Sequence, residues 1–361
     1  MLNSLEIKNF RMLEDFKVAK LGRVNLIVGK NNSGKSTVLE ALRIYAGNGH
    51  HSLMEKIAIS HDEKFWLDDE PDSSLPFEDL FAGRQFPTDD YTQIIIGESE
   101  TSKESLTIKH VLLMGIVTDS AKETPFNIIL KSEIKTLDSP ATEALLVSKN
   151  ERRFVFKLGR TDYLIPQNFT TVPCGFIPTQ FISMDELALE WDKIVLTQYD
   201  EVVRQALKII APSFENLVFV QGNKKRFAKV KLSDSIRPVP LKSLGDGMIR
   251  VLQLALKLVS AKGGFLLIDE FENGLHYSTQ EKIWALLFEM AEKLDIQVFA
   301  TTHSWDCIES FNKVALEHKD VGGVLFRMGK SVRTSDKGKI IATVFSEDEL
   351  ATMTQIDMEI R

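Results

Sequence analysis

VNLIVGKNNSGKSTVLEALRIY, residues 24–45, is the stretch that decides the fold. Val24 to Val28 is a short apolar run rich in β-branched residues, the pattern of a buried strand. Gly29 to Ser36 then satisfies the spacing GxxxxGK[ST], and beyond it Val38, Leu39, Leu42 and Tyr45 recur at helical spacing. Strand, loop and helix in that order are the context in which this spacing binds a nucleotide. Gly29 and Gly34 allow a tight turn, so the N–H groups through Asn31, Asn32, Ser33 and on to Thr37 face phosphate oxygens. The start of the following helix adds partial positive charge. Lys35 reaches the β- and γ-phosphates, and the hydroxyl of Ser36 completes an octahedral Mg²⁺ shell. ATP and Mg²⁺ are the ligands this implies.

Far downstream, residues 263–278 read GGFLLIDEFENGLHYS. Phe265 to Ile268 is a second buried-strand run, and Asp269 and Glu270 sit where it ends. Ligands of open α/β sheets bind beyond the carboxyl ends of the strands. Asp269 is therefore expected to hold Mg²⁺ through water from the side opposite Ser36. Glu270 is the expected base that orients a water for in-line attack. Ser278 to Glu281 reads as a capping box, and Ile283, Leu286, Leu287, Met290 and Leu294 follow as a core-facing stripe. A further strand, Ile296 to Ala300, leads into Thr301-Thr302-His303-Ser304. A β-α-β unit delivers His303 to the same sheet edge as Glu270, where it is expected to donate to the γ-phosphate or to the attacking water.

Composition bounds the rest. A chain of 361 residues suggests about two domains, or one carrying an insertion. Apolar residues at 43% and charged residues at 26% are those of an ordinary globular protein. With Lys plus Arg at 44 and Asp plus Glu at 51, the net charge of −7 argues against a uniformly basic nucleic-acid coat and leaves a local basic groove open. Two cysteines, Cys174 and Cys307, make neither a disulfide framework nor a CxxC zinc site and fit a reducing compartment. No apolar run approaches the roughly 20 residues that span a bilayer, so a cytoplasmic location with no membrane contact is expected.

Together these passages resemble the ATP-binding-cassette ATPases of the recombination and chromosome-maintenance type, and in particular the AAA15-like ATPases related to the overcoming-lysogenization-defect family. The resemblance rests on IKNFRMLEDFKV (7–18), GKNNSGKST (29–37), PLKSLGDGMIRVLQLALKL (240–258), LLIDEFENGLH (266–276), FATTHSWDCI (299–308) and the closing DMEIR. It implies an α/β fold: a P-loop NTPase head of the ABC type with a mainly parallel sheet, an antiparallel β lobe and a helical subdomain. It also implies a homodimer that sandwiches two ATP molecules, each site completed by the partner's signature segment. Here that segment is Ser243, Leu244, Gly245, Asp246 and Gly247, which departs from LSGGQ in the place of its serine and in Asp246. A glycine-flanked loop before a helix from Met248 to about Val259 still suits phosphate. Arg250, Gln253 and Lys257 form the polar stripe of that otherwise apolar helix, which reads as mostly buried. By the same resemblance Asn273 to His276 is the D-loop, Arg11 lies near the nucleotide, and Gln180 is the Q-loop glutamine at the metal.

The expected division is residues 1–48 and 172–361 for the head, with 186–232 as its helical, signature-side part, and 49–171 for a β-rich insertion. In that insertion Asp68 to Pro76 reads as a loop, and Tyr91 to Gly97, Leu106 to Met114, Phe126 to Leu130, Ala144 to Val147 and Arg152 to Lys157 read as strands. Asp185 to Ile210 reads as one or two amphipathic helices anchored by Leu187, Leu189, Trp191, Ile194 and Val195, without the heptads of a long coiled-coil arm. Lys224, Lys225 and Arg226, with Lys229 and Lys231, form the densest basic run. Alternating charge on a hairpin accounts for it, and a track for a nucleic-acid backbone is the competing reading.

The tail after His303 carries no DxD pair of a metal-dependent nuclease, so an ATPase acting on a separate nuclease or toxin is expected, by analogy in antiviral defence. A recombination or repair ATPase that binds DNA is the alternative. No NKxD guanine-reading motif appears, and IDEFENGLH with DMEIR points away from a transporter subunit.

Overall fold

The computed structural model describes residues 1–63, 77–115, 126–131, 141–158, 171–223, 225–336, 338–345 and 349. The expected loop at Asp68 to Pro76, Lys224 and the closing DMEIR lie outside them.

The centre is a six-stranded sheet in the order β16-β15-β3-β14-β13-β9. Its strands are β3 (Val24–Val28), β9 (Cys174–Ile177), β13 (Phe265–Ile268), β14 (Gln297–Thr301), β15 (Gly323–Lys330) and β16 (Ile340–Phe345). All neighbours run parallel except β16, which is antiparallel to β15. Every residue of β3, β13 and β14 is buried, as expected of a parallel sheet covered on both faces. Period-two alternation sorts these side chains into two cores. Leu26, Leu266, Ile268 and Val298 enter one, with α5 (Asp246–Ser260), α6 (Tyr277–Lys293) and α7 (Trp305–Glu317). Ile27, Phe265, Leu267 and Phe299 enter the other, with α1 (Lys35–Ala46).

The second core is closed by an antiparallel sheet ordered β2-β1-β4-β5-β7-β8, with β6 on β5. Its strands are β1 (Leu5–Phe10), β2 (Leu13–Val18), β4 (Ile94–Gly97), β5 (Leu106–Gly115), β6 (Phe126–Ile129), β7 (Thr142–Lys149) and β8 (Arg152–Lys157). This sheet takes in β1 and β2, which the sequence division assigns to the head. Ile7 of β1 pairs with Ile96 of β4, an interstrand partner that local alternation does not reveal. A helix, α2 (His51–Ser60), stands near the start of the region that the sequence reading describes as a β-rich insertion.

On the first core's side, α3 (Met184–Ile194), α4 (Asp200–Ile210) and a small sheet of β10 (Phe214–Gln221), β11 (Arg226–Leu232) and β12 (Val239–Pro240) share the cluster of α5. Of the basic run, Arg226, Lys229 and Lys231 lie on β11, which pairs antiparallel with β10, and the guanidinium of Arg226 is paired with Asp192. Leu187, Trp191 and Ile194 are buried, but Leu189 is 60% exposed and anchors nothing. Two helix starts differ from expectation. α5 begins at Asp246, and α6 is capped by His276, whose ring nitrogen accepts from the N–H of Ser278 at 3.4 Å. Glu281 turns outward instead, to Lys313 at 2.7 Å.

Candidate functional site

Register brings the motifs together. Ile268 lies opposite Ala300, and Ala300 opposite Leu26, so the residues that follow β3, β13 and β14 emerge at one edge of the sheet.

After β3 the chain enters the glycine loop. Gly29 has φ +149°, and a Cβ there would stand 2.5 Å from the carbonyl oxygen of Met328 and 2.8 Å from the hydroxyl of Ser33. Gly34 is left-handed at φ +91° and gives α1 no side-chain cap, which leaves its first-turn N–H groups to an anion. Asn32 is also left-handed, at φ 59°. The Lys35 ammonium donates to the carbonyls of Gly29 (2.8 Å) and Lys30 (3.1 Å). Burial holds its pKa below the usual lysine value, opposed by Asp269, Glu270 and Glu272.

Ser36 meets Asp269 across 233 residues of sequence, its hydroxyl 3.1 and 3.2 Å from the two carboxylate oxygens. The hydroxyl of Thr301 donates to Asp269 at 2.7 Å and accepts the N–H of Glu270 at 2.9 Å. The hydroxyl of Thr179 reaches Asp269 from the other side at 3.4 Å. Ser36 and Asp269 form a sparse set of hard oxygen donors, the kind that Mg²⁺ takes when phosphates and water supply its other ligands. Among the described residues no group of three or more His, Cys, Asp and Glu side chains makes a metal site of its own. Gln180 is exposed and lines, with Ser36 and Asp269, a cleft of ≈ 1140 Å³ along α1.

Glu270 sits in the left-handed region at φ 49°, a strained backbone for a residue of its kind. Arg250 holds it there. Its guanidinium, fully buried, donates to the carbonyls of Pro178 (2.7 Å), Asp269 (2.8 Å) and Glu270 (2.8 Å). Burial pushes the pKa of Arg250 down to about 10 against the pull of the nearby Asp269, Glu272 and Glu270, and the group stays charged at neutral pH. The imidazole Nδ1 of His303 is 3.8 Å from Glu270 and 3.1 Å from Glu272.

The structure thus gathers Lys35, Ser36, Asp269, Glu270 and His303 at one place. The residues expected to form the signature segment lie at the start of α5. Ser243 donates to the carbonyl of Pro240 at 2.7 Å. Gly245 has φ +90° with nothing within 4 Å of a Cβ, so its conformation and not its space demands glycine. A Cβ on Gly247 would come 3.2 Å from the carbonyl of Gly274, so the expected signature segment lies beside the expected D-loop. Arg11, expected near the nucleotide, is committed to carboxylates: Glu40 at 3.0 Å and Glu63 at 2.6 Å. Thr179, Arg250, Glu272 and Thr301 join the site without having been picked out in the sequence. Only Arg250 leaves a trace there, as a charge on the polar stripe of an apolar helix.

A phosphate loop on a parallel strand, faced by the acid pair of the next strand but one, is the arrangement of a P-loop nucleotide-binding fold. Residues 1–159 match the family model described as "AAA ATPase domain". Residues 203–306 match the one described as "AAA domain, putative AbiEii toxin, Type IV TA system". Over these two segments the chain is similar to ATPases of the AAA type. It is 28% identical over 345 residues to a Helicobacter pylori protein named ATP/GTP phosphatase, covering 88% of this chain and 89% of that one. It is 23% identical over 360 residues to the OLD nuclease of Thermus scotoductus, covering 89% of this chain and 62% of the nuclease's length. Among solved structures, the SMC head domain from Thermotoga maritima superposes with a TM-score of 0.43 at 13% identity, over 96% of this chain and 99% of that one. No helix of the described residues is long and apolar enough to cross a membrane.

Proposed function

We propose that the chain is an ATP-driven dimerising switch that controls a separate effector, a nuclease or toxin, in prokaryotic antiviral defence. The observation that carries this reading is the meeting of Ser36 with Asp269, because it joins the phosphate loop to the acid pair in one site. The N–H groups of residues 29–37 and the Lys35 ammonium bind the β- and γ-phosphates. Ser36 and Asp269, with Gln180 at the rim, hold Mg²⁺, which when bound offsets the phosphate charge. Glu270 orients a water and takes its proton, and His303 donates to the γ-phosphate. Ser243, Gly245 and Gly247 close the site of a second copy, so that ATP acts as the glue between two heads. The matches to a toxin-type module and to a nuclease support an effector of that class.

Glu270→Gln is the test. It blocks the chemical step and leaves binding intact, so light scattering should show a dimer with ATP and a monomer with ADP. A monomer under every nucleotide condition would overturn the switch. No heat on titration with either ATP or GTP would overturn the nucleotide site itself.

A second reading, a repair ATPase that binds DNA, is favoured by the outer face of β11, where Phe227 is 54% exposed in a strand that also carries Lys229 and Lys231. Salt-dependent DNA binding lost in Lys225→Glu/Lys229→Glu supports it. No binding at low salt excludes it.

A further inference from the structure

Glu272 lies three residues beyond Asp269, and its side chain is only 13% exposed, against 38% for Glu270 and 53% for His303. Both of its oxygens are spent on the two residues that follow Thr301. Oε2 accepts the hydroxyl proton of Thr302 at 2.8 Å. Oε1 accepts the backbone N–H of His303 at 3.0 Å and stands 3.1 Å from Nδ1 of the same residue. A single oxygen that accepts the peptide N–H of one histidine and stands beside its Nδ1 favours one side-chain rotamer. What faces one ring nitrogen also biases which of the two carries the proton. With a carboxylate at Nδ1, the proton stays on Nδ1, and Nε2 has no partner among the described residues. A solvated neutral histidine instead favours the proton on Nε2.

We infer that Glu272 is the positioning residue of His303. It fixes the ring and keeps the proton on Nδ1, so that Nε2 is the nitrogen turned to the reacting phosphate or water. Glu272 touches neither of these itself and acts only through the imidazole. The division of labour among the carboxylates follows from their surroundings. Glu270 is left exposed for the water, Asp269 is tied to Ser36 and Thr301, and Glu272 is sequestered as a scaffold. The inference rests on the ATPase reading of His303, but its first test does not need ATP.

Long-range ¹H–¹⁵N correlation of the imidazoles, with the His303 signal assigned by its loss in His303→Ala, reports the tautomer in the nucleotide-free protein. The wild type should show the proton on Nδ1, and Glu272→Ala should move it to Nε2. In steady-state hydrolysis, Glu272→Ala should lower kcat about 10- to 100-fold, the size of loss seen when the partner that orients a histidine is removed, with KM for ATP within about twofold. Glu272→Gln keeps the shape and one acceptor oxygen and should recover part of that rate. In a His303→Ala background, adding Glu272→Ala should cost less than about twofold, because residues that act as one unit are not additive. Equal losses in both backgrounds, or a tautomer unmoved by Glu272→Ala, would overturn the inference. A Glu272→Ala protein that fails to fold leaves the test with Glu272→Gln, for which an unchanged kcat and an unchanged tautomer are the overturning results. A wild type that shows the Nδ1 proton yet neither binds nor hydrolyses ATP sinks the ATPase reading and leaves the positioning geometry standing.

Discussion

Replacing Arg250 with Met keeps most of the side-chain volume and removes every donor from a fully buried position. Three carbonyls lose a charged hydrogen bond of 2.7 to 2.8 Å. That of Glu270 retains the N–H of Asn273 at 3.0 Å, so Pro178 and Asp269 are the two left in want of a partner. At about 1–3 kcal/mol for each orphaned acceptor, less what is recovered by no longer burying a charge, the expected net loss is about 2–3 kcal/mol. For a chain of this size about 2 °C accompanies each kcal/mol, so thermal unfolding should move down by about 5 °C. Catalysis should suffer more than stability. Arg250 ties the backbone of the acid pair to the segment that leads to Thr179 and Gln180, and it holds Glu270 at φ 49°. Once released, that carboxylate is misplaced, and a shift of about 1 Å costs about 100-fold in rate. Calorimetric unfolding and ATP turnover on the same preparation test both numbers. A variant that unfolds within 1 °C of wild type and turns over at the wild-type rate would refute the clamp.

Other outcomes follow from the same geometry. Gly29→Ala places a Cβ 2.5 Å from the Met328 carbonyl at φ +149°; strain of about 1–3 kcal/mol should weaken ATP binding by about tenfold or more in calorimetric titration. Asp269→Asn should leave ATP binding measurable while Mg²⁺-dependent turnover falls by about 100-fold or more, and chelating Mg²⁺ from the wild type should have the same effect on turnover. The hydrogen bond that His61 donates to Glu40 raises its pKa above the ordinary 6.5. The stabilisation is therefore fully present below the unfolded value and is lost as pH rises through the folded one. Chemical unfolding between pH 6 and 8 should show a decline in the wild type that His61→Asn lacks; parallel curves would count against the pair.

Most of the residues that the structure brings together around Asp269 are legible in the motifs. Gly29, Gly34, Lys35 and Ser36 are recognisable because phosphate binding imposes residue types at fixed spacing within one loop. Asp269 and Glu270 are recognisable because the buried strand that ends in them stands in a chain that also carries a phosphate loop; by themselves two acids at a strand end are more often solvated. Glu272, Thr301 and Thr179 were passed over, since one more acid after an acid pair and a threonine near a strand end carry no spacing signal. Their roles depend on which strand lies next to which. Arg11, placed near the nucleotide by resemblance alone, has Glu40 and Glu63 as its partners in the fold, and neither pairing can be read from spacing along the chain. At Ser278 to Glu281 the capping pattern was present, but His276 reached the free N–H group first.

What the sequence determined alone was local: the phosphate loop, the strands that lead into it and into the acid pair, and the alternation that divides their side chains between two cores. Tertiary structure decided the non-local pairings. It placed β1 and β2 in the antiparallel sheet, brought Ser36 within 3.1 Å of Asp269, and set Arg250 under the backbone of Glu270. The physical reason is that spacing along a chain encodes backbone conformation and burial, whereas hydrogen-bond partners far apart in sequence exist only once strand order and register have been chosen.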